Sequence, residues 1–379
     1  MSTRLPAPDL EPNVLEIDLE AIRHNVGELQ RLAGAGCDLY AALKCDAYGF
    51  GLVPAARALV EGGVAAISVA RIGDAISLRE GGIEVPVLLY AGAVVTPELA
   101  AALGRYDLIP SVLDLEAAAE LSRSFSSERP VFVKVDVGQH RLGVEPSVLT
   151  AFATAVAGMP NLRLAGVYTH MTVPDDPVPE GHIEKQFALF ESCLRELDET
   201  GLEVPVRMAA SSSVLRLTDR MGLNAVDPGR MYFGIVPDGG IMDGYDFRSA
   251  LRLFSSRLLQ VKTLDEEPRR PAPLVPVSPG MRLGIIALGT SDGLALASGR
   301  EVLVRGVRAP LIEPISLEHC RVDLTGVPDA CPGDEVVVIG RQGDDEIAVD
   351  EVVERRALKS SKHNIPINIR ESVRRRYVG

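Results

Sequence analysis

Short apolar runs alternate with longer segments of helical period over roughly the first 240 residues. Each run is too short for a helix, is rich in apolar or β-branched residues and lies between turn signals, which predicts buried strands. The predicted strands are 39–44, 65–70, 85–90, 107–112, 131–136, 164–170, 206–210 and 225–226. Alternating βα units in this number favour a (β/α)8 TIM-like barrel. The spacing alone leaves an open, doubly wound sheet as the alternative.

Between these strands the polar and apolar positions predict amphipathic helices. The clearest are 22–32, 53–61, 72–79, 114–121 and 183–197. Their charged faces are interpreted as solvated surface, and no function is assigned to them.

The pattern changes after about residue 240, where helical period fades and β-rich runs appear at 283–288, 301–307 and 335–339. We therefore predict a barrel over 13–240 and a mostly β C-terminal domain over 241–379. The proline-containing lead-in and first strand, residues 1–17, are a candidate addition to the second domain. Five prolines in 264–279 predict a long external loop.

Composition narrows the functional class. The 379 residues are 46% hydrophobic and 24% charged, a balance typical of soluble globular domains. A formal net charge of -13 argues against a nucleic-acid partner and favours a small molecule. The five cysteines show no paired spacing, which indicates free thiols in a reducing compartment. Without a signal-peptide pattern, a membrane span or a zinc motif, the sequence predicts a cytoplasmic protein with no metal.

The first candidate for chemistry is Lys44, which follows an apolar run and precedes a glycine-rich turn. In a βα barrel the carboxyl ends of the strands form the catalytic face. A lysine held there between apolar walls has a lowered pKa and is suited to form a Schiff base with a carbonyl. Tyr48, flanked by Gly49 and Gly51, could bring a phenol and backbone amides to a phosphate. The alternative interpretation of Lys44 is a surface lysine in a loop.

The run from Leu43 to Gly51, LKCDAYGFG, resembles the pyridoxal phosphate motif of the alanine racemase family. The resemblance implies that Lys44 carries pyridoxal 5'-phosphate and that Tyr48 contacts its phosphate. It also implies a homodimer in which the β domain of one subunit completes the barrel site of the other. Further segments similar to the family follow in the same order over nearly the whole chain.

Two of these segments concern the ring of the cofactor. The run KVDVGQHRLG resembles the segment whose arginine, here Arg141, reaches the phenolic oxygen of the cofactor and contributes to the substrate site. Its lysine, Lys134, supports that arginine and is a carbamate in some members. The run YTH resembles the strand end that places a histidine, here His170, beside the pyridine ring. Taken alone, such a histidine is more often a structural group.

Two other segments concern the phosphate. In AASSS, Ser211 matches the phosphate-binding serine of the family, while Ala210 stands where an asparagine is usual. In VDPGRMYFG, Gly229 and Arg230 match positions that bind the phosphate through backbone amides. Serines before a helix are also ordinary N-caps, so the serine run is a weak signal by itself.

Asp227 departs from the family pattern, because the racemases place an arginine there, facing the pyridine nitrogen. A cation disfavours a protonated ring, whereas a carboxylate would stabilise the pyridinium and strengthen its electron withdrawal. The alternative is a turn residue before Pro228.

Thr290 is the second departure, because it stands where the racemases have a catalytic tyrosine from the partner subunit. A threonine hydroxyl has a pKa far above the phenol value of about 10, so Thr290 cannot simply act as the base. His140 and His319 are candidate replacements. Leu317 and Glu318 stand where the racemases place a methionine and an aspartate near the substrate carboxylate, so the resemblance implies that Leu317 contributes to the substrate site.

The residues and the resemblance together predict a pyridoxal phosphate enzyme acting at Cα of an amino acid, foremost a racemase or epimerase. Because Thr290 and Asp227 replace racemase residues, a decarboxylase, an aldolase or a transaminase-like enzyme is the alternative. A non-catalytic pyridoxal phosphate binder and a chain that has lost the cofactor are further alternatives. Lys44, Thr290 and Asp227 form the predicted catalytic set.

Overall fold

A computed structural model of the chain describes residues 11–90, 94–173, 179–236, 241–265, 276–355 and 362–379. Most of the predicted loop 264–279 lies outside these ranges. The chain divides into two compact units. The barrel unit comprises Glu20–Ala47 and Leu52–Arg248, and the β unit comprises Met1–Leu19, Tyr48–Gly51 and Ser249–Gly379.

Seventeen strands are present in the described residues. In chain order they are β1 Val14–Asp18, β2 Asp38–Ala42, β3 Ala66–Val69, β4 Val87–Leu89, β5 Ile109–Val112, β6 Arg129–Val135, β7 Leu162–Thr169, β8 Val206–Ala210, β9 Ala225–Val226, β10 Leu251–Thr263, β11 Arg282–Ile286, β12 Glu301–Val304, β13 Val307–Ile312, β14 Cys320–Asp323, β15 Glu335–Gln342, β16 Asp345–Ile347 and β17 Arg374–Val378.

Strands β2 to β9 form a closed, all-parallel barrel. The short strand β9 closes it by pairing with β2, with Asp38 opposite Ala225 and Leu39 opposite Val226. Closure confirms the predicted (β/α)8 barrel and excludes the open sheet. All eight predicted barrel strands are present, displaced by at most a few residues at their ends.

Side chains from the barrel strands fill its interior, as is usual for this architecture. The buried cluster consists of Tyr40, Ala66, Leu88, Phe132, Ala165, Tyr168, Met208 and Ala225. Alternation of large rings with alanines lets the layers interdigitate. At Gly166 a Cβ would lie 2.4 Å from the Phe132 ring, so the bulky phenylalanine requires a glycine on the neighbouring strand. The interior of the barrel is therefore a packed core and not a pore.

One helix precedes the first barrel strand, and others follow in the segments between the barrel strands. They span Leu19–Ala33, Leu52–Gly62, Ile72–Glu80, Pro97–Arg105, Leu115–Ser124, Leu149–Ala157 and His182–Glu199, with a short one at Ser212–Leu215. The five helices predicted from the sequence are all present. Among the helices of the described segments, none combines the length and apolar character that a membrane crossing requires.

The β unit contains a nine-stranded sheet in the order β16-β15-β12-β13-β14-β11-β10-β1-β17. The N-terminal strand β1 lies inside this sheet, antiparallel to β10 and parallel to β17. The predicted run 301–307 is divided, because Arg305 (φ 54°) and Gly306 (φ 75°) form a tight turn between β12 and β13. Two positive φ angles are what a two-residue hairpin turn requires.

Candidate active site

A cavity of about 230 Å³ opens in the barrel unit beside the carboxyl ends of its strands. Its lining side chains come from strand ends or from the residues that follow them, as in other βα barrels. They are Lys44, Ala70, Tyr90, Lys134, Arg141, Leu142, Tyr168, His170 and Asp227. Five predicted or discussed polar groups from distant parts of the sequence are thus brought together.

Lys44 lies two residues after β2 and faces into this cavity. Burial lowers its pKa below the ordinary lysine value, the Asp227 carboxylate opposes that change, and the positive charge of Arg141 adds to it. The ammonium Nζ lies 5.1 Å from the centre of the Tyr90 ring. An amine in such surroundings gives up its proton more easily than a solvated lysine and is a better nucleophile.

The chain leaves Lys44 through an unusual backbone turn. Cys45, Asp46, Ala47 and Tyr48 all have positive φ angles, between 52° and 58°. Such a left-handed run is unfavourable for residues with a Cβ, so the surroundings must enforce it. Part of the enforcement is visible, because Asp46 Oδ1 accepts a hydrogen bond at 2.7 Å from the amide of Leu52, the first residue of the next helix.

Tyr48, predicted to contact the phosphate, is assigned to the β unit. Its ring meets the His363 ring edge to face, with 6.4 Å between centres. Gly49 (φ 87°) is required there, because a Cβ would lie 2.1 Å from the Pro366 carbonyl oxygen. The structure thus places an imidazole ring beside the predicted phosphate-contacting phenol.

Asp227 is buried in the cavity wall directly after β9, with 5% of its surface exposed. The Tyr90 hydroxyl donates a hydrogen bond to Asp227 Oδ2 at 3.0 Å. Oδ1 has no hydrogen-bond partner among the described residues. Burial raises the pKa of Asp227 to about 6, against the opposing influence of Lys44 and of the Tyr90 hydrogen bond.

Three cationic side chains, those of Lys44, Lys134 and Arg141, line the same cavity together with His170. Burial, together with the charges of Arg141 and Lys44, lowers the pKa of Lys134 to about 8. Burial and the neighbouring cations lower the pKa of His170 to about 3, so this imidazole is neutral at physiological pH. The cavity therefore offers a neutral imidazole and positively charged groups to an anionic ligand.

Asp136 organises the loop that carries Arg141. Its Oδ1 accepts backbone amides of Gly138, Gln139 and His140 at 2.9, 2.8 and 3.1 Å, and its Oδ2 accepts the amide of Arg141 at 2.9 Å. Burial alone would raise the pKa of Asp136, but these four amides lower it. Our sequence interpretation missed this residue, although an aspartate two positions before a glycine is a known turn signal.

The predicted phosphate residues lie together at the start of a short helix. Ser211 precedes Ser212–Leu215, and its hydroxyl oxygen has no hydrogen-bond partner in the described part of the chain. The amide of Gly229 donates to Ser212 Oγ at 2.9 Å, and the Arg230 guanidinium donates to Ser213 Oγ at 3.0 Å. The two sequence segments predicted to share one ligand are thus joined by hydrogen bonds.

Thr290 and Leu317 lie together in the β unit. The Thr290 amide donates to Ser316 O and the Ser291 amide to Leu317 O, both at 2.9 Å. Leu317 is 74% exposed, and Thr290 is exposed as well. The candidate replacement bases, His140 and His319, are both exposed on the surfaces of their own units.

Comparisons with known proteins agree with this arrangement. The family model of the alanine racemase N-terminal domain matches residues 17–237, and that of the C-terminal domain matches residues 275–377. Alanine racemase of Halothermothrix orenii is 29% identical, covering 97% of both chains, and that of Desulfosudis oleivorans is 32% identical, covering 96% of this chain and 95% of the relative.

Solved structures are similar over the same extent. Alanine racemase from Bacillus anthracis with bound L-Ala-P has a TM-score of 0.86 at 26% identity, covering 98% of this chain and 96% of that one. The enzyme from E. faecalis has a TM-score of 0.85 at 27% identity, covering 97% and 98%. With a family model matching more than half of its residues, this chain belongs to the alanine racemase family.

Proposed function

We propose that this protein is a pyridoxal phosphate-dependent amino-acid racemase and that alanine is its substrate. The observation that carries the proposal is Lys44, a half-buried lysine with a lowered pKa just after a strand end in the barrel cavity. The substrate follows from the relatives, which are named alanine racemases. A cavity of about 230 Å³ is matched to a compact ligand.

The residues around the cavity fit this cofactor. Lys44 supplies the amine for its aldehyde, and Asp227 presents in the same cavity an oxygen without a hydrogen-bond partner among the described residues. The Ser211 hydroxyl, which has no hydrogen-bond partner in the described segments, could bind a phosphate oxygen. We assign the phosphate to Ser211, Gly229 and Arg230, with Tyr48 as a further contact.

When bound, pyridoxal phosphate withdraws electrons from the substrate Cα and so makes its proton removable. Lys44 Nζ, with its lowered pKa, then holds or releases that proton on one face of Cα. Arg141 lies on the same wall and is assigned to the phenolic oxygen and the substrate carboxylate. His170, neutral because of its low pKa, borders the ring without adding charge.

The opposite face of Cα needs a second proton carrier for racemisation. By the resemblance, the Thr290 and Leu317 loop of a partner subunit reaches this face, so we propose a homodimer with shared sites. The exposed position of Leu317 is compatible with the proposal, because it leaves this side chain accessible to a partner. Thr290 would there orient water or the substrate rather than serve as the base.

Chiral chromatography tests the proposed activity. Purified protein supplied with pyridoxal phosphate and L-alanine should produce D-alanine until the two enantiomers are equal, and the reverse should hold from D-alanine. Reactions without cofactor, after dialysis against a carbonyl scavenger, serve as the control. Persistence of a single enantiomer with every amino acid of a panel contradicts the racemase proposal.

Light scattering at micromolar concentration tests the dimer. We expect about twice the chain mass of 40.5 kDa, and a monomer would show that Thr290 and Leu317 do not complete a neighbour's site. We also propose a cytoplasmic location, supported by five cysteines that are all free. Cell fractionation checks it, and recovery in an extracytoplasmic fraction would contradict it.

A further inference from the structure

Asp227 is the only acidic side chain among the described residues that line the cavity. The same wall contains Lys44, Lys134 and Arg141, so an acidic group stands in a mainly cationic site. A buried carboxylate is costly unless its oxygens are paired. Oδ2 is satisfied by Tyr90, whereas Oδ1 lacks a partner within the described residues. Among the described lining residues, Asp227 Oδ1 is thus a buried acceptor without a partner, which is suited to a hydrogen-bond donor of the ligand.

Tyr90 fixes the direction of this carboxylate. Its hydroxyl donates to Oδ2 at 3.0 Å, and its ring lies 5.7 Å from the Tyr168 ring and 5.1 Å from Lys44 Nζ. Burial raises the pKa of Tyr90 well above the ordinary value, so its hydroxyl keeps the proton and remains a donor. With Oδ2 occupied in this way, Oδ1 is the oxygen left for a ligand.

Pyridoxal phosphate has one ring atom that can carry an N–H, the pyridine nitrogen. Its aldehyde is assigned to Lys44, its phenolic oxygen to Arg141 and its phosphate to the serine run. The protonated nitrogen is then the donor left to meet Asp227, the acidic side chain among the described residues of the wall. We propose that Asp227 Oδ1 accepts a hydrogen bond from the protonated pyridine nitrogen, and that Tyr90 is a positioning residue that orients the carboxylate. This inference rests on the proposed function, because it requires the cofactor to bind in this cavity.

The chemical consequence follows from charge. A carboxylate stabilises the positive charge of a protonated ring, and a protonated ring withdraws electrons from Cα more strongly than a neutral one. The Cα proton is then easier to remove. Stronger electron withdrawal in the barrel would thus offset the lack of a tyrosine base at the position of Thr290.

The test is the 15N chemical shift of pyridoxal phosphate labelled at the ring nitrogen and bound to the full chain near neutral pH. In the wild type we expect the shift of a pyridinium. Asp227→Asn has nearly the same shape but cannot hold the charge, so the signal should move to that of unprotonated pyridine. Tyr90→Phe should give an intermediate shift, because a carboxylate without its donor competes for the proton.

Tyr168→Phe is the matched control. It removes another buried phenol from the same wall, but that hydroxyl pairs with Ser111 Oγ at 3.0 Å and not with Asp227. The ring-nitrogen shift should therefore stay at the wild-type position. A change as large as that in Tyr90→Phe would overturn the positioning role of Tyr90.

An unprotonated nitrogen in the wild type, or an unchanged shift in Asp227→Asn, overturns the proposal. Tyr90→Phe keeps the question decidable even where Asp227→Asn fails to fold, because it retains the carboxylate. The absorbance band of lysine-bound cofactor separates the two proposals. A wild type without this band refutes the proposed function as well, whereas a band together with an unprotonated ring refutes the role of Asp227 alone.

Discussion

The barrel cavity and the Thr290 loop of the β unit differ in the kind of group they hold. In the barrel, buried ionisable side chains have shifted pKa values, with Lys134 near 8, Asp227 near 6 and His170 near 3. The loop exposes a hydroxyl and an apolar side chain, and neither titrates in the physiological range.

The difference indicates that the proton chemistry of this protein is concentrated in the barrel. Burial and mutual charge shift the pKa values there, which is the common physical basis of catalytic acids and bases. An exposed threonine has no comparable means of activation. The variants that follow are chosen to break or sharpen this contrast.

Lys44→Ala should have the largest effect. Without the amine, the protein should lose the absorbance band of lysine-bound cofactor, and alanine racemisation should fall by at least about 10²–10⁴-fold. Lys185→Ala, on an exposed position of helix His182–Glu199, is the matched control and should retain both properties. A full band in Lys44→Ala would place the cofactor on another amine.

Asp136→Ala should follow in size, because it removes the acceptor of four backbone amides in the loop of Arg141. We expect a loss of about 1–3 kcal/mol in the free energy of unfolding and weaker cofactor binding. Asp136→Asn should cost less, because one oxygen acceptor remains. Urea unfolding and cofactor titration measure the two effects, and wild-type values in both would refute the role of Asp136.

The lowered pKa of Lys134 predicts that the free energy of unfolding depends on pH in alkaline solution. Its pKa is about 8 in the folded chain against an ordinary value of 10.5. In the window between these values the unfolded chain holds a proton that the folded chain has released, so this group makes stability rise with pH. Lys134→Met should show a smaller rise between about pH 8 and 10 in buffer free of carbon dioxide. If the urea midpoints of the wild type and of Lys134→Met rise equally with pH, the lowered pKa of Lys134 is contradicted.

Thr290→Ala should have the smallest effect. Because a threonine hydroxyl is not a base near neutral pH, kcat for racemisation should change less than about twofold. Leu317→Ala, on the adjacent loop, serves as a comparison, because it removes an apolar side chain that could contact the proposed partner subunit without removing a hydroxyl. A fall of about 10²-fold in Thr290→Ala would show that the hydroxyl is itself the second proton carrier.

The sequence was sufficient to locate the eight barrel strands, because each is a short apolar run between turn signals. It could not show that the sheet closes, which depends on the pairing of β9 with β2. Two barrel helices, Pro97–Arg105 and Leu149–Ala157, were missed. The second is apolar on most faces and so gives a weak amphipathic signal. The run 301–307 was predicted as one strand, although a hairpin turn at Arg305 and Gly306 divides it. The turn was missed because arginine is an unusual residue at a positive φ.

Site residues could be predicted where they belong to a sequence motif. They could not be predicted where their role depends on a hydrogen bond to a residue far away in the sequence. Lys44, Arg141, His170 and Asp227 were predicted from the sequence, and the structure places them in one cavity. Tyr90 belongs to no motif. The one sequence signal for its place in the cavity was its position at the end of the predicted strand 85–90. Its hydrogen bond to Asp227 joins residues 137 positions apart, which local sequence cannot reveal.

Proton NMR in D2O tests the central claim most directly. The holoenzyme is incubated with L-alanine, the Cα proton signal is followed, and the product is separated by chirality. The account predicts loss of that signal with an intact carbon skeleton and deuterium at Cα in both enantiomers. Exchange confined to one enantiomer, or new amine, aldehyde or keto-acid signals, would contradict a racemase and indicate a family member with a different reaction.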